Sequence, residues 1–174
     1  AENEALAART LDFVAPGEQQ SEAGHEYDYS SDSSTGEYNT EHYRDARANG
    51  HIQYTLYNEK GESNALSIMF RFNLADKGRM ATLTVDGTKI ADITIPASAK
   101  GSDANGFYNT EYPLPASLIY DTNGNVKNKF VVPRNILRET AQRLPGGNLP
   151  SLQIRGQRMD NRRRQQSGSL KHHL

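Results

Sequence analysis

The sequence predicts an all-β chain folded as an antiparallel β-sandwich of jelly-roll type. Three observations carry this. Apolar and polar residues alternate through "HIQYTLYN" and "ALSIMFRF", the period-two pattern of strands that bury one face. Asp86-Gly87 separates two β-rich runs in "MATLTVDGTKIADITI", a short-range hairpin signal. Further short strands follow, divided by Gly- and Asn-rich turn material such as "DTNGN", as sandwiches and jelly rolls require.

In chain order, Pro16-Gly17 marks a turn. From His51, residues Ile52, Tyr54 and Leu56 share one face, and Gln53, Thr55 and Tyr57 the other. Leu66, Ile68, Phe70 and Phe72 then form a second apolar face, opposed by Ser67, Met69 and Arg71. The hairpin at Asp86-Gly87 comes next, and "GFYNTEYPL" and "NVKNKFVV" supply two more strands. Only "NEALAAR" near the start and "ILRETAQRL" towards the end carry a helical pattern, so a helical enzyme core is excluded.

Composition narrows the class. A length of 174 residues bounds the chain to one domain, or one domain and a tail. Hydrophobic content is 35% and mean hydropathy −0.80, so part of the chain is expected to lie outside a packed core. No apolar run approaches the length of a membrane span. The opening "AENEALAART" has neither an initiator Met nor an apolar signal core, which reads as a mature or excised piece of a longer protein. Cysteine is absent, which excludes a disulfide framework, a thiolate zinc site and a cysteine nucleophile in this chain.

The net charge of −1 conceals a division. Residues 1–132 carry 11 Lys+Arg against 19 Asp+Glu, and residues 133–174 carry 9 against 2. All nine Tyr and all five Phe precede Pro133. The segment 133–174 is therefore basic and aromatic-free. A disordered arm that binds nucleic acid is one reading of it, but the arm has no aromatics for stacking and adjoins an acidic domain.

Several ordered motifs carry a resemblance. "RTLDFVAPGEQQSEAGH", "TGEYNTEHYRDA", a G-x-I-Q-Y-T-L strand, "TVDGTKIADITI" and "YPLPASLI" succeed one another. This succession resembles the C-terminal β-sandwich domain of unknown function of bacterial family 127 glycoside hydrolases, the β-L-arabinofuranosidase-like enzymes. The resemblance implies residues 1–10 as a linker from an upstream catalytic domain and residues 11–132 as a non-catalytic accessory sandwich packed on that domain. It implies a periplasmic or extracellular location. An independent carbohydrate-binding module for arabinose-containing, plant-type glycans is the alternative. The family's catalytic chemistry, a cysteine nucleophile beside a cysteine-ligated zinc, has no counterpart here, and no cofactor is expected. The relatives close with a strand rich in Tyr, Leu and Arg. Residues 133–174 lack that pattern, so the sandwich is expected to miss its last strand and to end in an irregular tail, here read as translated out of frame.

The early polar segment from Asp12 has two readings. Glu18, Gln20, Glu22 and His25, with Tyr43, Arg44 and Asp45, can line a glycan-binding or domain-docking surface, because carboxylates and amides bind sugar hydroxyls. Alternatively they satisfy backbone groups of a buried loop, with Arg44 in a bidentate pair with Glu18, Glu22 or Asp45. The second reading ranks first, because structural ion pairs mimic functional ones. Asp28, Asp32 and Glu37 lack the spacing of a calcium loop. Tyr27, Tyr29, Tyr38 and Tyr43 form either an aromatic platform or half-buried packing.

Overall fold

The structure, a computed structural model, describes residues 8–136, 151–154 and 156–161. The first half contributes β1 (Thr10–Val14), the short helix α1 (Gln19–Ala23), β2 (Asp28–Tyr29), β3 (Ser34–Tyr38), β4 (Glu41–Arg47), β5 (His51–Tyr57) and β6 (Leu66–Asn73). The second contributes β7 (Met80–Val85), β8 (Thr88–Thr94), β9 (Phe107–Pro113), β10 (Lys129–Ile136), β11 (Ser151–Ile154) and β12 (Gly156–Asn161). They form three antiparallel sheets, ordered β1-β12-β6-β9, β2-β5-β10-β7-β8 and β11-β4-β3. No helix among the described residues is long and apolar enough to cross a membrane.

The alternation sets the core. Ile52, Tyr54 and Leu56 of β5 are completely buried, as are Leu66, Ile68, Phe70 and Phe72 of β6 and Ala81, Leu83 and Val85 of β7. The hairpin between β7 and β8 turns at Asp86 and Gly87, with φ of +48° and +85°, a pair of positive values that suits a two-residue turn of primed type. Asp86 also fastens the neighbouring strand: its Oδ1 accepts the Val131 N–H at 2.8 Å and its carboxylate pairs with Lys127.

Two expectations about the ends of the domain are corrected. Arg9 and Thr10 belong to the fold, since β1 starts at Thr10 and Arg9 donates to Glu111 at 3.1 Å. Nor does the sandwich end at Val132 without a closing strand. Strand β10 runs through Pro133 to Ile136 and pairs with β5 from Lys129 to Asn135. Its pairing with β7 begins only at Arg134, after the proline. Strand β12 lies between β1 and β6, with Gly156 opposite Arg71 and Gln157 opposite Val14. Backbone N–H and C=O groups along β1 and β6 need partners whatever side chains the partner strand carries. Side-chain periodicity, on which the expectation rests, is therefore a poor guide to an inserted strand. The helix-like segments 3–9 and 136–144 fall largely outside the described residues, whereas the described helix α1 has no pattern to announce it.

Arg134 follows Phe130 and Val132 at the inward positions of β10 and is completely buried. Its guanidinium lies 4.6 Å from the Phe70 ring centroid and 5.9 Å from that of Tyr54. Burial pulls its pKa down to about 9, because a charge in a dry interior is disfavoured.

The turn after β1 places the site. Glu18 N–H donates to the Ala15 carbonyl at 3.1 Å across Pro16 and Gly17. Gly17 has φ +86°, and a Cβ there would meet the Tyr43 carbonyl oxygen at 2.9 Å. Both the conformation and the space require glycine. Gly17→Ala is expected to lower the unfolding free energy by about 1–3 kcal/mol. Urea unfolding of the variant checks this, and an unchanged midpoint would refute it.

Candidate functional site

Alternation along β4 turns Arg44 and Ala46 inward, and α1 presents Glu22 to the same interior. The two side chains form a buried bidentate pair: Arg44 Nε donates to Glu22 Oε2 at 2.5 Å and Nη2 to Oε1 at 2.9 Å. Tyr54 Oη donates to Glu22 Oε2 at 2.5 Å, and the Gly17 N–H dipole also favours the charged carboxylate. The remaining Arg44 nitrogen, Nη1, donates to Ser33 Oγ at 3.0 Å. Its guanidinium stacks 3.7 Å from the centroid of the Tyr29 ring.

Burial opposes charge on Glu22, but the hydrogen bonds from Arg44 and Tyr54, with the Gly17 N–H dipole, outweigh it and hold the carboxyl below its usual range. Burial likewise works against Arg44, and Glu22 still holds it above its ordinary value. Burial, then the neighbouring carboxylate, pushes the Tyr54 phenol up. Both charges are thus retained and fully engaged within the fold.

His25, three residues past Glu22, enters a different constellation. Its Nδ1 lies 2.6 Å from the Ser21 carbonyl oxygen and its Nε2 lies 2.9 Å from Asp12 Oδ1. Acceptors at both nitrogens favour the doubly protonated ring. The Asp12 hydrogen bond, opposed by burial and helped by Ser21, raises the His25 pKa. For Asp12, burial is outweighed by hydrogen bonds from His25 and from the Tyr57 and Phe13 N–H groups, which lower it. Beside this pair is an open cleft of about 400 Å³, lined by Leu11, Asp12, Gly24, His25, Tyr57 and Glu59. Tyr57 is its aromatic wall. Burial, then the neighbouring Glu26 carboxylate, pushes its phenol up, and its ring centroid lies 6.1 Å from that of His25.

The remaining residues singled out in the sequence lie apart. Glu18 and Gln20 are exposed on and before α1. Tyr43 and Asp45 are on the opposite face of β4 from Arg44, where Tyr43 lies across from Gly36 and Asp45 accepts from Ser34 Oγ at 2.7 Å. Glu18 lines a second hollow, of about 260 Å³, with Phe13, Pro16, Thr40, Glu41 and His42. Of the four tyrosines considered as a platform, Tyr27 and Tyr29 stack, with centroids 5.0 Å apart. Tyr38 instead meets Phe107 edge-on at 5.9 Å. Asp28 faces His51 and Asp32 accepts from Ser30. No group of three His, Cys, Asp or Glu among the described residues comes together as metal ligands. Sequence reasoning missed Asp12, Tyr57 and Glu59, which only the pairing of β1 and α1 against the end of β5 brings together. Tyr54 carried a signal: a tyrosine on a core face needs a partner for its hydroxyl.

Glu22→Ala leaves a buried guanidinium without its counter-charge. The expected loss is about 3–5 kcal/mol in denaturant unfolding, and a loss below about 1 kcal/mol would put the pair among weak surface contacts. The Asp12–His25 pair makes stability pH-dependent. The raised His25 value gives a contribution that is complete below 6.5 and lost as pH rises through the folded pKa. The lowered Asp12 value gives one that is present above 3.8 and lost as pH falls through its folded pKa. The melting difference between the native chain and His25→Gln should therefore be greatest between these values and shrink on either side. A difference constant from acid to alkaline pH would contradict the pairing.

No curated protein matches the chain in sequence. Among solved structures, the exo-β-1,3-galactanase of Phanerochaete chrysosporium with β-1,3-galactotriose is 10% identical at a TM-score of 0.51, over 86% of this chain and 29% of that one. The C-terminal CBM6 of LamC, a marine laminarinase from Zobellia galactanivorans, is 8% identical at 0.50, over 85% and 97%. A family 35 carbohydrate-binding module from an environmental isolate is 14% identical at 0.41, over 65% and 66%. The chain thus spans under two-thirds of the family 35 module and less than a third of the galactanase. At such identities the likeness to the galactanase and the laminarinase module is one of fold, a β-sandwich of the carbohydrate-binding-module kind. Residues 5–135 match the family of unknown function DUF6805, and the chain belongs to that family.

Proposed function

We propose that the chain is a non-catalytic carbohydrate-binding module, and that the Tyr57 cleft is its glycan site. The observation that carries this is the cleft itself: an aromatic wall whose backbone is fastened to Asp12, beside ionised side chains and open to solvent. A sugar ring buries its C–H face on such a wall and turns its hydroxyls to neighbouring polar groups. The fold, shared with the laminarinase CBM6 and with part of the galactanase, supports the same reading. Extracytoplasmic glycans, arabinose-containing ones first, are the ligands to try, as the likeness to the glycosidase C-terminal domains implies.

The accessory role, packing on an upstream glycosidase catalytic domain, is a second reading. What favours it is Phe13, which is 42% exposed and faces the second hollow with Pro16 and Glu18. A surface of that kind suits a domain contact better than a hydroxyl-rich ligand.

Titration of the 15N-labelled full chain with arabinose-containing oligosaccharides separates the two. Saturable shifts are expected at the amides of Gly24, His25, Tyr57 and Glu59. Tyr57→Ala should weaken binding by more than about tenfold, while Tyr57→Phe, which keeps the ring, should weaken it less. A folded spectrum with no shift across a broad glycan panel would discard the binding reading and leave the accessory one.

A further inference from the structure

The groups that line the Tyr57 cleft differ in the hydrogen-bonding capacity they have left. Asp12 is saturated. Its Oδ1 accepts from the Phe13 N–H at 2.8 Å and from His25 Nε2 at 2.9 Å, and its Oδ2 accepts from the Tyr57 N–H at 2.8 Å and lies 3.1 Å from the same ring nitrogen. His25 uses both nitrogens, one on Asp12 and one on Ser21. The Tyr57 hydroxyl has the Glu26 carboxylate as its charged neighbour. Glu59, on the rim two residues beyond Tyr57, is exposed and makes no hydrogen bond or ion pair with another described residue.

We infer that Glu59 is the specificity-determining polar contact of this cleft, and that the cleft takes neutral sugars with adjacent hydroxyls and rejects uronic acids. The inference rests on the carbohydrate-binding reading above. An ionised carboxylate only accepts hydrogen bonds, and its two oxygens can take two neighbouring hydroxyl donors at once. A uronate would set a second acceptor-only anion against it. The cation in the lining, His25, is already neutralised by Asp12, and Glu26 behind the Tyr57 hydroxyl adds a further negative charge. Nothing in the lining is therefore free to receive a ligand carboxylate.

The test titrates the 15N-labelled full chain at low salt with matched sugars: galactose against galacturonate, glucose against glucuronate, and arabinose and xylose as further neutral probes. Neutral sugars should shift the amides of Gly24, Tyr57 and Glu59, and the uronates should bind the cleft at least about tenfold more weakly. Glu59→Gln, at an exposed position, should keep the native melting temperature and narrow that discrimination to about threefold or less. Uronates that saturate the cleft as well as their neutral counterparts would overturn the inference and leave the binding-module reading intact. Discrimination unchanged in Glu59→Gln would also overturn it. Absence of any shift with all six sugars would overturn this inference, and the binding reading falls with it if the oligosaccharide panel also leaves the spectrum unchanged.

Discussion

The Glu22 carboxylate is the interaction on which the rest of this region depends. It sits on a helix of five residues, too short to hold itself together by its own hydrogen bonds. What fixes it is convergence: Arg44 from β4 and Tyr54 from β5 both donate to one buried carboxylate, and the Gly17 N–H of the turn after β1 adds its dipole. Desolvating a carboxylate and a guanidinium is worth several kcal/mol against folding unless every remaining donor and acceptor is matched. Here the matching groups come from four separate stretches of chain. The pair thereby determines where α1 lies, how the third sheet attaches to the sandwich, and where the chain leaves α1 towards His25.

Arg134 handles the same desolvation differently. It occupies an inward position of a central strand and lies against the faces of Phe70 and Tyr54. A ring face offers a guanidinium a negative quadrupole without a charge of its own. Glu22–Arg44 thus keeps both ionised groups well inside their charged ranges, while burial pulls Arg134 down. The two parallel hydrogen bonds between Arg44 and Glu22 make that pair a directional tie between β4 and α1.

How much of this the sequence disclosed follows from the range of each signal. Strands β5, β6 and β7 are legible because each buries an unbroken apolar face at period two. Strand β4 is not legible as a strand, although it alternates equally well. One of its two inward residues is Arg44, which a polarity pattern counts as outward. Strand β12 is unreadable for a different reason: "GQRMDN" has no period-two apolar run, and its place is seen only in its backbone pairing with β1 and β6. At the site, Glu22, His25 and Arg44 stand out as charged residues in or near a turn-rich segment. Which carboxylate Arg44 chooses stays open among three in the sequence, because that choice is made by the inward turn of β4 and the seat of α1. The join between His25, Asp12 and Tyr57 spans three elements, and no local pattern encodes it.

The crowded segment after Asp12 thereby has one physical account that covers both of its readings. Its most conspicuous chemical groups, Glu22, Asp12 and His25, are consumed together with Arg44 in holding the backbone, and a group whose lone pairs and protons are already taken has little left for a ligand. What they build is a rigid wall. Because Asp12 binds the Tyr57 N–H and His25 at once, the backbone that carries the Tyr57 ring is tied to β1 and to the residue just past α1. Preorganisation of this kind lowers the entropy lost when a ligand binds. The surfaces left open, the Tyr57 ring and the Glu59 carboxylate, then lie at the end of the strand and just past it, outside the stretch that looked most like a site. In this sandwich the side chains that fix the fold and those proposed to meet a ligand are adjacent in space and separate in chemistry.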